Sequence, residues 1–308
     1  MTSNPEQLGG MNLFDAARAV GLSFGNEVMP EDKYVEVGGM QFHYLDWGNH
    51  GKPEMLLLHG GAQSAHSWDF FALTMRDHYH VIAPDQRGHG DSDWSQAGDY
   101  ATHFHVGDMH GLTDAIGLAK FTLVGLSMGG RNSYGLASAH PDKVRAMIVV
   151  DVGPETEEKG RKRIQEFLED SYEFDSFDWL VERVQKYNPW REEKQIRGSL
   201  INNLKRMEDG RWTWKHDRRR GVRRDRGVEL TDNAWEDIAN VKCPTLLVRG
   251  AESDIFSLET ANKMLGIIPD AHLVEVPDAG HLVQGDNPVG FERVARDFLS
   301  SKDPAWAG

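Results

Sequence analysis

The sequence predicts a mostly parallel α/β sheet covered by helices on both faces, with a helical cap inserted in the second half of the chain. Three observations predict it. β-rich runs alternate with helix-length segments from Tyr34 to Val150 and again from Thr245 onward. The interval from about Pro154 to Asn240 breaks that rhythm, holds no strand-like run and is rich in Glu, Arg, Lys and Trp. A Gly-x-Ser-x-Gly turn joins one apolar run to the helix-forming segment after it.

Residues 1–33 read as an N-terminal extension, in which Asn12 to Val20 can form a short amphipathic helix. Such a helix would pack on the body or on a second subunit. Tyr34–Val37 and Met40–Trp47 are β-rich and are joined by Gly38-Gly39, the signature of a hairpin. Met55–Leu58, His80–Ala83, Phe121–Val124, Ala146–Val150, Thr245–Val248 and His272–Val276 complete eight expected strands. Their short, continuous apolar runs suit strands buried on both faces. Helices are expected over Ser64–Asp77, Ala101–Leu118, Met128–His140, Ser257–Leu265 and Val289–Leu299. The core is therefore placed at 34–153 and 241–308, and the cap insertion at 154–240. The cap looks too polar for a core of its own.

Composition narrows the function classes. A formal charge of −14 gives no general attraction for phosphate backbones or anionic membranes, so neither nucleic acid nor membrane is an expected partner. No apolar run approaches the roughly 18 residues of a membrane span. MTSNPEQLGG lacks the basic and apolar regions of a secretory signal, so the cytoplasm is the expected location. Cys243, the single cysteine, reads as a small apolar residue leading into a strand. The basic run Arg218, Arg219, Arg220, Arg223, Arg224, Arg226 reads first as a solvated cap face paired with nearby acids, and second as a recognition surface for an anion.

The chemistry centres on Phe121-Thr-Leu-Val-Gly-Leu-Ser-Met-Gly-Gly130. The central residue of such a turn is strained, and glycines beside it remove side chains that would collide. Ser127 is thereby raised above the sheet edge at a helix N-terminus, where negative charge is favoured. Upstream stand Leu58-His-Gly-Gly-Ala62 and Pro84-Asp-Gln-Arg-Gly-His-Gly-Asp-Ser92; downstream stands Asp278-Ala-Gly-His-Leu-Val-Gln284.

In this order the motifs resemble those of the α/β-hydrolase superfamily, over about residues 34–302. The resemblance implies an α/β-hydrolase fold with Ser127 as nucleophile and His281 as base. It points to the backbone N–H groups of Gly61 and Met128 as the oxyanion hole, with His59 supporting that loop or contacting substrate. The acid has two candidates. Asp254 follows the seventh strand, the family's usual place, but stands four residues after Gly250 where three are common. Asp151 ends the sixth strand, from which some members draw the acid. Asp254 is preferred and Asp151 is the alternative.

Arg131, Trp212 and Trp214 join His59 as candidate pocket residues, although the cap aromatics, Trp179 and Trp190 included, read more readily as cap core. His103, His105, Asp108 and His110 lack the spacing of a zinc cluster, and no Gly-x-Gly-x-x-Gly fingerprint is present. No metal or cofactor is expected.

The expected activity is hydrolysis of a small carboxylic ester or lactone through an acyl-enzyme. Ser127-Met-Gly-Gly130 also resembles carbon–carbon hydrolases of aromatic ring cleavage, and Arg131-Asn-Ser133 resembles acetamidomethylene-succinate hydrolases. Cleavage of a C–C or enamide bond in a carboxylate-bearing intermediate is the alternative. Perhydrolysis needs only peroxide in place of water, whereas epoxide hydrolysis and dehalogenation need Asp where Ser127 stands. A non-catalytic small-molecule receptor on the same fold is the rival from another class. A small molecule is the expected partner; a homodimer is left open.

Overall fold

The computed structural model describes residues 9–189, 191–220 and 233–306. Trp190 and, from the basic run, Arg223, Arg224 and Arg226 lie outside the described residues.

The extension forms α1 (Leu13–Ala19), started by Asn12, whose side chain accepts from the Asp15 N–H at 3.0 Å. A hairpin follows, β1 (Glu31–Val37) and β2 (Met40–Asp46), paired antiparallel across the two glycines. Then come β3 (Glu54–Leu58), α2 (Asp69–Met75), β4 (His80–Pro84), α3 (Thr102–Ala115), β5 (Phe121–Leu126), α4 (Met128–Ala139) and β6 (Val144–Val150). The insertion contributes α5 (Glu158–Asp170), β7 (Glu173–Phe174), α6 (Phe177–Tyr187), α7 (Glu193–Leu200), β8 (Leu204–Arg206) and β9 (Trp212–Trp214). After α8 (Ala234–Asn240), the chain closes with β10 (Thr245–Gly250), α9 (Leu258–Leu265), β11 (Ala271–Val276), α10 (Val283–Asp286) and α11 (Pro288–Lys302).

The main sheet has eight strands in the order β1-β2-β4-β3-β5-β6-β10-β11. β2 runs antiparallel to both neighbours, and the other pairings are parallel. Every residue of the central β5 is buried, as an apolar strand covered on both faces requires. One face carries Trp68, Phe71, Phe291 and Leu299 from α2, α11 and the turn before α2. The opposite face carries Met109, Tyr134, Ile238 and Met264 from α3, α4, α8 and α9. The sheet therefore presents the C-terminal ends of β5, β6 and β10 along one edge, beneath the insertion.

The insertion departs from the expectation in two ways. It contains a small antiparallel sheet, β7-β9-β8, of two or three residues per strand. Runs that short carry no readable alternation. It also has its own core, in which Leu180, Val181, Ile196, Trp212 and Trp214 are buried together. The charged residues that made the segment look too polar lie on the outer helix faces. Ala234 and Ile238 pack into the main body rather than the cap.

No described helix is long and apolar enough to cross a membrane. Cys243 is buried, and burial pushes its thiol up to about 11, which suppresses thiolate chemistry.

Candidate active site

Ser127 sits between β5 and α4 with φ 52° and ψ −114°, a backbone conformation that L residues rarely adopt. Backbone hydrogen bonds hold it there. Its N–H donates to the Val150 carbonyl at 2.9 Å, and its carbonyl accepts from Arg131 at 3.0 Å. The flanking glycines are required by close approach. A Cβ on Gly129 would fall onto the Leu58 carbonyl oxygen, and one on Gly125 onto Ser133 Oγ and the Gly129 carbonyl. The tight packing of α4 on β3 and β5 thus fixes where the hydroxyl points.

His281 lies in the loop between β11 and α10, where the motif placed it. Its Nε2 is 2.9 Å from Ser127 Oγ, and its Nδ1 is 2.8 Å from Asp151 Oδ2. A carboxylate only accepts, so Nδ1–H donates to Asp151 and the lone pair of Nε2 faces the serine hydroxyl. Asp151, at the end of β6, is fully buried. Its Oδ1 accepts from the Gly250 N–H at 3.0 Å, and its Oδ2 accepts from the Ser253 hydroxyl at 2.5 Å.

The preferred acid, Asp254, is not at His281. Its carboxylate pairs with Arg163 of α5 at 2.9 Å, on the cap side. The reason lies one residue earlier. Ser253, three residues after Gly250, occupies the position where an acid was looked for, and its hydroxyl braces Asp151 instead. That hydroxyl also accepts from the Ile255 and Phe256 N–H groups at 3.1 and 3.3 Å, which fixes its direction. Sequence reasoning overlooked Ser253, although the displaced spacing of Asp254 was the signal.

Gly61 and Met128 both line the cavity that contains Ser127 and His281. Beneath Gly61, His59 Nδ1–H donates to the Gly60 carbonyl at 2.7 Å, and Nε2 accepts from the Gln86 N–H at 2.9 Å. Both ring nitrogens are thus committed in the neutral form. The Gln86 side chain donates to the His59 carbonyl and accepts from Asn132 of α4 at 2.6 Å. This buried chain ties the Gly60-Gly61 loop to the helix behind Ser127.

Asp85, after β4, anchors the same region. Its carboxylate meets the Ala65 N–H at 2.7 Å, His43 Nδ1 at 2.7 Å and the Asp91 N–H at 2.9 Å. Burial alone would raise its pKa. The hydrogen bond and charge of His43, with the further donors, bring it down to about 2. A depressed carboxylate contributes stability that is present above its unfolded value near 4 and lost as pH falls through about 2. Unfolding free energy is therefore expected to drop by about 2 kcal/mol on this account between pH 4 and 2. Asp85→Asn should flatten that acid limb in denaturant titrations at a series of pH values, while lowering stability at pH 7.

Of the four candidate pocket residues, Trp214 alone lines the cavity. His59 is buried under the loop as described. Arg131 turns away, donating to the Gly153 and Pro154 carbonyls at 3.1 and 3.0 Å. Trp212 packs inside the cap 5.7 Å from the Phe177 ring. Asp108 of the discounted His-rich segment is ion-paired with Arg87. In the described part of the basic run, Arg219 pairs with Asp217 at 2.6 Å, and Arg218 lies 5.1 Å over the Tyr172 ring.

The cavity measures about 1830 Å³ and lies between sheet edge and cap. Its floor is Ser127, Met128, His281 and Gly61; its roof includes Ile164, Phe167 and Leu168 of α5. The N-terminal segment forms part of the wall through Leu13 and Phe14. That segment also touches the cap, since a Cβ on Gly198 of α7 would lie 3.2 Å from the Met11 carbonyl oxygen. The extension thus spans from body to cap and closes one side of the cavity.

A strained serine raised at a strand-to-helix turn, on an eight-stranded mostly parallel sheet, defines a hydrolase architecture. Residues 53–288 match the family model for the alpha/beta hydrolase fold, and the chain belongs to that family. The chain is 28% identical over 286 residues to an esterase of Mycobacterium tuberculosis, Rv0045c, covering 90% of this chain and 92% of the relative. It is 28% identical over 254 residues to a 3-hydroxybutyrate-oligomer hydrolase of Cupriavidus necator, covering 77% and 86%. Among solved structures, E-2-(acetamidomethylene)succinate hydrolase superposes with a TM-score of 0.79 at 25% identity, covering 88% of this chain and 99% of that one. The relatives are named as esterases and hydrolases, which marks this chain as an enzyme of the hydrolase class.

Proposed function

We propose that this protein hydrolyses a carboxylic ester or lactone through an acyl-enzyme on Ser127. The observation that carries the reading is the relay from Ser127 Oγ to His281 Nε2, and from His281 Nδ1 to Asp151, at 2.9 and 2.8 Å. The serine hydroxyl is a weak nucleophile alone. In this arrangement His281 takes its proton as Oγ attacks the carbonyl carbon, and Asp151 holds the ring tautomer and stabilises the imidazolium. The developing oxyanion is placed toward the backbone N–H groups of Gly61 and Met128. Donors of that kind are each worth about 3–4 kcal/mol of transition-state stabilisation. Collapse returns the proton from His281 to the leaving alcohol. Water, deprotonated by the same ring, then releases the acid and restores Ser127.

A second reading has support from the likeness to the acetamidomethylene-succinate enzyme and from Ser127-Met-Gly-Gly130. The same relay would serve an enamide or a vinylogous C–C substrate. A panel of p-nitrophenyl esters of increasing acyl length, simple lactones, a dicarboxylate enamide and a ring-cleavage dienoate separates the readings. The ester reading expects turnover of the esters. Turnover confined to the enamide or the dienoate overturns it.

A further inference from the structure

Arg191 differs from most of the other cap arginines in its surroundings. Arg163, Arg183, Arg197 and Arg219 each have a carboxylate within ion-pair distance. Arg191, between α6 and α7, has none among the described residues, although it lies on the wall of the cavity that holds Ser127 and His281. Its guanidinium reaches over α10, where a Cβ on Gly285 would be 3.5 Å from Cζ. Nη2 donates to Ser199 Oγ at 3.0 Å, while Nε is buried with no hydrogen-bond partner.

The groups around it leave that charge unsatisfied. Asp286 of α10 is the acid whose charge reaches Arg191, but from beyond ion-pair distance. The Asp286 carboxyl is turned to the Gly280 N–H at 3.1 Å, and burial pushes its pKa up. Burial likewise pushes the Arg191 guanidinium down. Beside them Gln284, only 5% exposed, lines the same cavity; its Oε1 has no hydrogen-bond partner, so no hydrogen bond at that oxygen keeps the amide from turning its N–H groups, the donors, toward an acceptor in the cavity. A largely buried guanidinium with no acid within ion-pair distance is disfavoured, and a ligand that supplies the negative charge relieves it. Its planar donors match a carboxylate in two-pronged fashion.

We propose that Arg191, with the Gln284 amide, forms a subsite for a carboxylate on the substrate, so that the preferred ester is a half-ester of a dicarboxylic acid or carries its acid on the alcohol. This inference rests on the hydrolase reading above and names its substrate class. Because α10 begins two residues after His281, a carboxylate held there sits beside the base and orients the scissile carbonyl from one end. Of the described arginines on the cavity wall, Arg163 and Arg219 are ion-paired, Arg218 lies over the Tyr172 ring, and Arg191 is the one whose Nε is buried without a hydrogen-bond partner.

The test compares monomethyl adipate with dimethyl adipate. The wild type is expected to favour the half-ester in kcat/KM. Arg191→Gln is expected to lower the half-ester to diester ratio by about 10- to 100-fold, chiefly through KM, the range for losing a hydrogen bond to a charged group. Arg191→Lys should recover part of the ratio, because it keeps the charge but not the fork. Gln284→Met gives a smaller loss in the same direction and serves if Arg191→Gln does not fold. Adipate binding to the Ser127→Ala protein, measured by calorimetry, provides a readout without turnover and should weaken when Arg191→Gln is added. An unchanged ratio in Arg191→Gln and Gln284→Met, with adipate binding unaffected, overturns the subsite while diester turnover keeps the hydrolase reading intact. Absence of all ester turnover with Arg191-dependent adipate binding is the opposite result: the subsite stands and the ester reading fails.

Discussion

Ser127→Ala is expected to lower kcat for short p-nitrophenyl esters by about 10⁶-fold, the loss seen when a relay's nucleophile is removed. The size of the effect follows from the geometry. Ser127 Oγ is the group 2.9 Å from His281 Nε2, and it faces the cavity at the bottom of the cap. Alanine removes the atom to which the proposed relay assigns the acyl bond. It leaves the Gly61 and Met128 loop, the cavity and the His281–Asp151 pair in place, so binding of product acids should change little. Folding should also survive, since alanine is smaller and the backbone bonds to Val150 and Arg131 do not involve the side chain. Steady-state kinetics with active-site titration measures this directly. Residual activity within tenfold of wild type would mean that another group attacks the ester.

Asp151→Asn is expected to lower kcat by about 10⁴-fold with little change in KM, because an amide in that place favours the wrong imidazole tautomer. Asn donates as well as accepts. With the Ser253 hydroxyl and the Gly250 N–H already pointing at this side chain, the new amide must turn an N–H toward one of its donors or toward His281. If it donates to Nδ1, Nε2 carries the proton and can no longer accept from Ser127. Asp254→Asn should instead stay within about twofold of wild type, as for a partly exposed residue outside the relay. It breaks an ion pair with Arg163 and touches neither His281 nor Ser127. The contrast between the two variants decides which carboxylate serves the histidine. Equal losses in both, or a larger loss in Asp254→Asn, would contradict the geometry.

The fold was largely legible because it rests on local rules. Eight apolar runs with Gly and Pro between them, and helix-length segments joining most of them, are enough to indicate a parallel sheet, and the Gly38-Gly39 turn marks its hairpin. The meeting of Ser127 with His281 was legible for the same reason, since each stands in a short stretch whose neighbours are dictated by close packing. The acid was not, because it is chosen by a meeting of three distant strand ends. Whether Asp151 or Asp254 reaches the imidazole depends on the direction of the turn after β10, and that turn is set by Ser253 bonding back to Asp151. The cap was the least legible part. Its three short strands have no period to detect, and its core is assembled from a few apolar side chains of α6, α7 and β9 that stand among charged neighbours in the sequence. His59, Arg131 and Trp212 were misassigned to the pocket because side-chain direction, not motif membership, decides what a substrate meets. Arg191 went unremarked because nothing in its local sequence separates it from the other cap arginines. Its distinction, a buried Nε without a hydrogen-bond partner at the wall of the cavity, is a property of the packed structure.

The central claim is that Ser127 is a nucleophile activated by His281. The most direct measurement is peptide mass spectrometry after treatment with a fluorophosphonate, which labels an activated serine covalently. The account predicts one adduct, on the peptide containing Ser127, with labelling lost in Ser127→Ala and strongly slowed in His281→Ala. An adduct on a different residue, or labelling of Ser127 that is unaffected by His281→Ala, would contradict it.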